Sequence, residues 1–187
     1  MPRDASETRE RLLREAERLF ASRGVHQATS REITEAAGQR NVSALTYHFG
    51  SRPSLLGAVL SEARRRDNLV IAATDDQLGF VPLFRAVWRF YSDEAHDDRI
   101  RAFFHLVGLS VYEIEAFQEF VADLDDLAGM LEAAACRDGC TPADAKQQSL
   151  LAISCLRGLL LQRLLTPDAE VDAAAERFIA TLTRSSM

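Results

Sequence analysis

The chain has 187 residues, of which 47% are hydrophobic, and a formal net charge of −6. That apolar share is enough to bury a core, so a chain disordered for want of one is excluded. The charge is unevenly shared. Residues 1–66 hold 12 arginines, no lysine and 8 carboxylates, a net +4, so the rest of the chain carries all of the acidic excess. Such asymmetry predicts a basic working end on an acidic body.

The opening segment MPRDASETRE has no apolar run of the kind a signal peptide needs. The longest apolar stretch, Leu150 to Leu165, is interrupted by Arg157, Gln162 and Arg163. It also falls short of the ~20 apolar residues that cross a bilayer. A cytoplasmic protein with no membrane partner is expected. Three cysteines fit a reducing compartment. Cys136 and Cys140 are four apart, but Gly139 and Pro142 predict a helix end between them and the next element. No His or carboxylate cluster completes a coordination set, so no metal and no cofactor are expected.

Periodicity is helical nearly everywhere and strand alternation is lacking, which predicts an all-α fold. Leu12, Leu13, Ala16, Leu19 and Phe20 form the stripe of a first helix, with Ser6 or Thr8 as its cap and Gly24 as its stop. Thr29 and Glu32 have the spacing of a capping box that opens a second, short helix. Ile33, Ala36 and Ala37 are its inner face, and Gly38 closes it. After Gln39, Arg40 and Asn41, a third short helix runs through VSALTYH and ends at Phe49 and Gly50. Ser51 caps a fourth helix with Pro53 in its first turn, a stripe of Leu55, Leu56, Val59, Leu60 and Ala63, and a continuation past Arg64, Arg65 and Arg66. Further helices are expected near Val81–Glu94, Asp98–Val107, Ser110–Cys136, Pro142–Leu165 and Asp168–Thr183. The expected division is a helix-turn-helix head over 1–50, a linking helix over 51–73 and a body over 74–187.

Two short helices joined by a glycine turn and braced by a preceding amphipathic helix make a helix-turn-helix. Several pieces of the chain carry a more specific likeness. They are Leu19–Phe20, Arg23–Gly24, the T-S-x-x-I of Thr29 to Ile33, the AAG of Ala36 to Gly38, the YHFGSR of Tyr47 to Arg52, and Leu55–Leu56. Over about Thr8 to Leu60 the chain resembles the tetracycline-repressor (TetR) family of transcription regulators. It departs from the family's pattern by one residue, since Gly38 to Phe49 is eleven positions rather than ten. Thr46 then stands where a tyrosine is common, and Tyr47 becomes the aromatic phosphate contact.

The resemblance implies a double-stranded DNA operator as partner, and side-chain chemistry distributes the roles. Thr29, Ser30 and Arg31 lie at the amino end of the second helix, and Ser51 and Arg52 at that of the fourth, where free amides favour a phosphate. Tyr47 and His48 can donate to phosphate oxygens, which positions a head without reading sequence. His48 packing within the head is the alternative. Base reading falls to Arg40, Asn41, Ser43, Ala44 and Thr46: arginine fits guanine, asparagine fits adenine, and an alanine methyl meets a thymine methyl. Arg64, Arg65 and Arg66 are either a DNA-facing patch or a solvated helix face.

For the body the resemblance implies a homodimer joined through the last two long helices and a cavity for a small-molecule effector. Leu150, Leu151, Ile153, Leu156, Leu159, Leu160, Leu161, Leu164 and Leu165 cover more than one helix face, so burial on several sides is expected. Ala173, Ala174, Ala175, Phe178, Ile179 and Leu182 give a second packing stripe. Trp88, Tyr91, Phe104, His105, Tyr112 and Arg157 are the expected lining of an apolar or aromatic effector site. Repression relieved by that effector is the expected regulation. A helical binding protein or adaptor without DNA is the alternative. A helical enzyme is weaker, since Glu113, Glu115, Asp123, Asp125 and Asp126 have no nucleophile, metal spacing or phosphate loop beside them.

Overall fold

The computed structural model describes residues 2–74, 78–112, 117–122, 125–166 and 169–185, and among them there is no strand. The helices are α1 (Pro2–Arg23), α2 (Ser30–Ala36), α3 (Ser43–Phe49), α4 (Arg52–Thr74), α5 (Phe80–Tyr91), α6 (Asp97–Tyr112), α7 (Gln118–Ala122), α8 (Asp125–Arg137), α9 (Pro142–Leu165) and α10 (Ala169–Ser185). A 3₁₀ turn at Glu94–His96 precedes α6. The chain forms two compact units, Met1–Arg64 with Ala102–Val121, and Arg65–Arg101 with Ala122–Met187, so α4 and α6 each contribute to both.

In the first unit most of the expected stripe residues are buried, whereas Ala36, expected on the inner face of α2, is exposed and Leu13 of α1 is half-buried. Leu12 and Ala16 of α1, Ile33 of α2 and Leu55 of α4 are fully enclosed, and Leu45 of α3 nearly so. Local chemistry sets the joints. The Gly24 N–H donates to the Phe20 carbonyl (2.9 Å) with φ at 81°, ending α1 in a left-handed residue. The capping box at Thr29 is present in both directions: the Glu32 amide donates to Thr29 Oγ1 (3.2 Å) and the Thr29 amide to Glu32 Oε2 (2.8 Å). Ser51 caps α4 by accepting from the Ser54 amide (3.1 Å). The expected cap of α1 is corrected. The helix starts at Pro2, so Ser6 and Thr8 lie inside it. Proline is pre-organised for a first helical turn, and the residues after it are tolerant of helix.

A second correction concerns the predicted helix Ser110–Cys136. Its start is overturned, because α6 runs from Asp97 through Ser110 to Tyr112; within the rest of the stretch the described helices are α7 and α8. Residues 113–116 and 123–124 of that stretch lie outside the described residues, as do Asp168 and three of the carboxylates weighed for an enzyme, Glu113, Glu115 and Asp123. Phe117 and Phe120 are buried around α7, and the Phe120 Cβ lies 3.6 Å from where a side chain at Gly57 of α4 would begin. Phe103 of α6 meets Phe120 at 6.0 Å between ring centroids.

In the second unit α8 and α9 pack together, and α5 and α10 pack on them. Phe84, Val87, Leu131, Ala134, Ala152 and Ile179 are fully enclosed. The Asp138 carboxylate accepts from the Phe80 amide (2.7 Å) and so caps α5. It can approach because Gly79 has no side chain: a Cβ there would stand 2.6 Å from it. The helix end expected near Gly139 is present, with φ at 97°. Asp67 of α4 is buried and pairs with Arg99 (3.0 Å), whose guanidinium also meets His96 Nδ1 (2.6 Å). Burial first, and the Arg99 charge second, push the His96 pKa down.

Candidate nucleic-acid interface

The segment between α2 and α3 determines what α3 presents. The Gly38 amide donates to the Glu35 carbonyl (3.0 Å) and the Gln39 amide to that of Thr34 (2.8 Å), a Schellman closure with Gly38 at φ 73°. Two residues later Asn41 Oδ1 accepts from the Ser43 amide (3.0 Å), and the Ala44 amide donates to the Asn41 carbonyl (3.1 Å). The additional residue of the turn therefore sits between a helix stop and a new helix cap, with Arg40 exposed at its crest. Leu45 anchors α3 from below, and the Arg9 guanidinium covers the half-buried Phe49 ring at 4.9 Å.

Beside this helix lies an open cleft of about 860 Å³. It brings together six of the expected residues, Arg40, Asn41, Ser43, Ala44, Tyr47 and His48. Tyr47 is 80% exposed and meets His48 edge to face at 5.0 Å. Thr46 is exposed but does not line the cleft. The α1 side of the cleft is formed by Ala5, Thr8 and Arg11, and Arg11 Nε is buried without a hydrogen-bond partner. Sequence reasoning missed Thr8 and Arg11. Their only signal was a polar position one turn apart on the face of α1 that turns toward α3, which is unreadable until the crossing of the helices is known.

The remaining expected phosphate contacts gather elsewhere. Thr29, Ser30 and Arg52 line a second, smaller cleft with His26 and His105. Arg52 is turned inward: Nη2 donates to the Val25 carbonyl, the Cζ lies 5.5 Å above the Phe20 ring, and burial lowers its pKa. Arg31 is exposed and donates to Glu35 (2.8 Å), one turn along α2. Its pKa is raised, first by that hydrogen bond and then by the Glu35 charge.

The expected effector residues divide between the two units. Trp88 and Tyr91 of α5 are buried in the second, where Arg157 of α9 is half-buried. Phe104, His105 and Tyr112 of α6 belong to the first. Phe104 stacks edge to face on Phe103 (5.2 Å), His105 meets His26 (5.5 Å), and Tyr112 is 89% exposed. On α9, Ala152, Ile153, Leu156 and Leu160 face inward, while Leu150, Leu151, Leu161 and Leu165 are exposed. On α10, Ala175, Ile179 and Leu182 are buried within the chain's own unit, and Ala173 and Ala174 are exposed. Among the described residues no cluster of His, Cys, Asp or Glu could hold a metal, and no helix is long and apolar enough to cross a membrane.

A short exposed helix held by a preceding one across a glycine turn, with a polar cleft along its side, defines a helix-turn-helix protein. Residues 12–59 match the family of bacterial regulatory proteins described as the tetR family. That match covers the head, and the chain as a whole has the fold of solved structures named as regulators of that family. A TetR-family transcriptional regulator from Rhodococcus sp. superimposes with a TM-score of 0.71 at 18% identity, over 97% of this chain and 100% of its own. A transcriptional regulator from Rhodococcus sp. RHA1 gives 0.73 at 21%, over 94% and 95%. The multidrug binding protein EbrR, in complex with imidazole, gives 0.64 at 20%, over 93% and 88%. No curated protein matches the chain.

Proposed function

We propose that the protein is a sequence-specific DNA-binding transcription regulator, working as a homodimer and acting as a repressor released by a small, largely apolar effector. The observation that carries the reading is the exposed face of α3, with Arg40, Asn41, Ser43, Ala44, Tyr47 and His48 along one open cleft. A helix of this kind enters a major groove, where base edges are distinguishable. Arg40 reads a guanine. Asn41 keeps its amide group for a base while its oxygen caps α3. Ser43, Ala44 and Thr46 complete the readout, Tyr47, His48, Thr29, Ser30 and Arg31 take phosphates, and Arg52, turned inward onto Val25 and Phe20, braces the start of α4. Thr8 and Arg11 add a phosphate contact from α1.

Two heads are needed to read a two-fold operator, and the outward row Leu150, Leu151, Leu161 and Leu165 suits a second copy. Gly158, with open space around its Cα, lets the partner helix approach within that row. That a neighbour of this fold, EbrR, is a multidrug binding protein supports an effector in the body, near Trp88, Tyr91 and Arg157. The test is a titration of the full chain against duplex from upstream of its own gene. Neutralising ~6–10 phosphates predicts a loss of roughly 10³–10⁵ in affinity between 50 and 200 mM salt. Indifference to every duplex at 50 mM salt rejects the reading in favour of a helical binding protein without DNA.

A further inference from the structure

Where α5 turns into α6, the second unit holds a cluster of charged groups that DNA reading does not use. Asp67 of α4 is buried, and its Oδ1 accepts from Arg99 Nη1 of α6 (3.0 Å). The other arm of that guanidinium, Nη2, reaches His96 Nδ1 at 2.6 Å. The His96 ring is stacked on Phe90 of α5, with centroids 4.4 Å apart and planes 29° apart, and meets Tyr91 edge to face at 6.5 Å. One residue on, Asp97 binds Arg163 of α9 and, at 3.9 Å, Arg101. The corner is therefore tied to α4 through Arg99 and to α9 through Asp97.

The contact between Arg99 and His96 depends on protonation. A guanidinium has donors only, so the bond exists when Nδ1 carries a lone pair and the neutral ring holds its proton on Nε2. An imidazolium offers no acceptor and sets a second positive charge beside Arg99. Several groups act on the ring. Burial and the Arg99 charge disfavour the imidazolium, while Asp67 from α4 and Asp93 from the preceding turn favour it. Asp93 is partly committed, since its Oδ1 accepts from the Ala95 amide (2.9 Å). From α5 the ring meets Phe90 and the phenol ring of Tyr91. Burial and Arg99 prevail, so His96 gives up its proton more readily than an ordinary histidine.

We propose that His96, Arg99 and Asp67 form a proton-sensitive clamp between α4 and the start of α6, closed while the imidazole is neutral and opened when it takes a proton. The neutral ring steadies the guanidinium on Asp67; the imidazolium repels Arg99 and competes with it for Asp67 and Asp93. A lowered imidazole pKa means that the unfolded chain takes up this proton first as pH falls. The clamp's stabilisation is therefore complete above the ordinary imidazole range and declines as pH drops through that range toward the lowered folded value. Asp67 and Arg99 lie beside the positions where α4 and α6 pass into the unit that carries α2 and α3. Acidification then weakens the hold on an operator. That consequence rests on the DNA-binding reading; the clamp itself does not.

The experiment follows the histidine ring nitrogens of the full chain by nuclear magnetic resonance, without DNA. At about pH 7.5 His96 is expected in the Nε2–H form, with a titration midpoint below that of a histidine in a short peptide. Arg99→Gln is expected to raise that midpoint. Hydrogen exchange, corrected for intrinsic rates, is expected to show about fivefold less protection in the first turns of α6 at about pH 5.5 than at about pH 7.5, the worth of one hydrogen bond. His96→Asn, whose side-chain oxygen accepts from Arg99 at either pH, is expected to keep its protection. An Nδ1–H ring at neutral pH overturns the proposal, as does a midpoint unmoved by Arg99→Gln or an equal loss of protection in the parent and His96→Asn. Duplex affinity that falls equally with pH in those two chains overturns the consequence for the operator. A chain that clamps yet binds no duplex rejects the regulator reading alone.

Discussion

At the scale of single residues, two arginines of the head have opposite situations. Arg40 stands exposed on the crest of the turn, whereas Arg52 is held inward by Val25 and Phe20. Arg40→Ala is expected to relax choice at one base position by ~1–3 kcal/mol while other positions hold, as read by competition among single-base operator variants. Tyr47→Phe, which removes a hydroxyl from an exposed ring, is expected to weaken all duplexes alike. An Arg40→Ala effect equal at every site would move the base-reading role to another residue. Both side chains were legible in the sequence because arginine and tyrosine flank a recognisable turn. The inward set of Arg52 was not, since a basic residue at a helix start reads equally as a phosphate contact or a brace. Glu32 gives a pH test. Hydrogen bonds from the Thr29 amide and hydroxyl hold its carboxyl below the usual range, with the Arg23 charge adding to them. A lowered folded pKa means stability that is complete above the unfolded carboxylate range and is lost as pH falls through the lowered value. Denaturant unfolding between about pH 3 and pH 6 should therefore be flatter for Glu32→Gln than for the parent chain.

At the scale of elements, helix ends with explicit chemistry were readable and a start without it was not. Pro142–Leu165 has a threonine cap, a first-turn proline and a run of leucines, and α9 has those bounds. The Thr29–Glu32 box and the Gly38 and Gly139 stops follow the same logic. Ser110 reads as the start of a new helix, yet α6 passes through it to Tyr112, with its hydroxyl donating back to the Val107 carbonyl (2.9 Å). Ser110 is buried there, a consequence of packing that a local cap signal does not carry. Likewise the two stripes of α9 read as one greasy helix, because period alone does not say which leucines meet their own chain. A joint between elements offers the next prediction. Asp138 caps α5 from the end of α8, so Asp138→Ala is expected to cost about 1 kcal/mol in urea unfolding. A loss below the error of the midpoint would mean that solvent serves the Phe80 amide equally well.

At the scale of the whole molecule, the exposed row on α9 predicts assembly. Leu151→Glu sets a charge on a face of α9 that its own chain leaves open, so the fold should persist while the dimer parts. Sedimentation is expected to show a monomer with parental helicity by circular dichroism, and operator affinity should collapse because one head holds only a half-site. A dimer surviving this change, and the matching Leu161→Glu, would put the two-fold contact on another surface.

If the outward leucines join two copies as proposed, the protein is also sensitive to its own abundance. A subunit that hides part of its hydrocarbon only against a twin gains firmness by mass action, so its melting temperature climbs as the solution is concentrated. In a cell, scarcity would then loosen each subunit and empty the operator together, and the number of copies made would itself be a dial on the genes controlled.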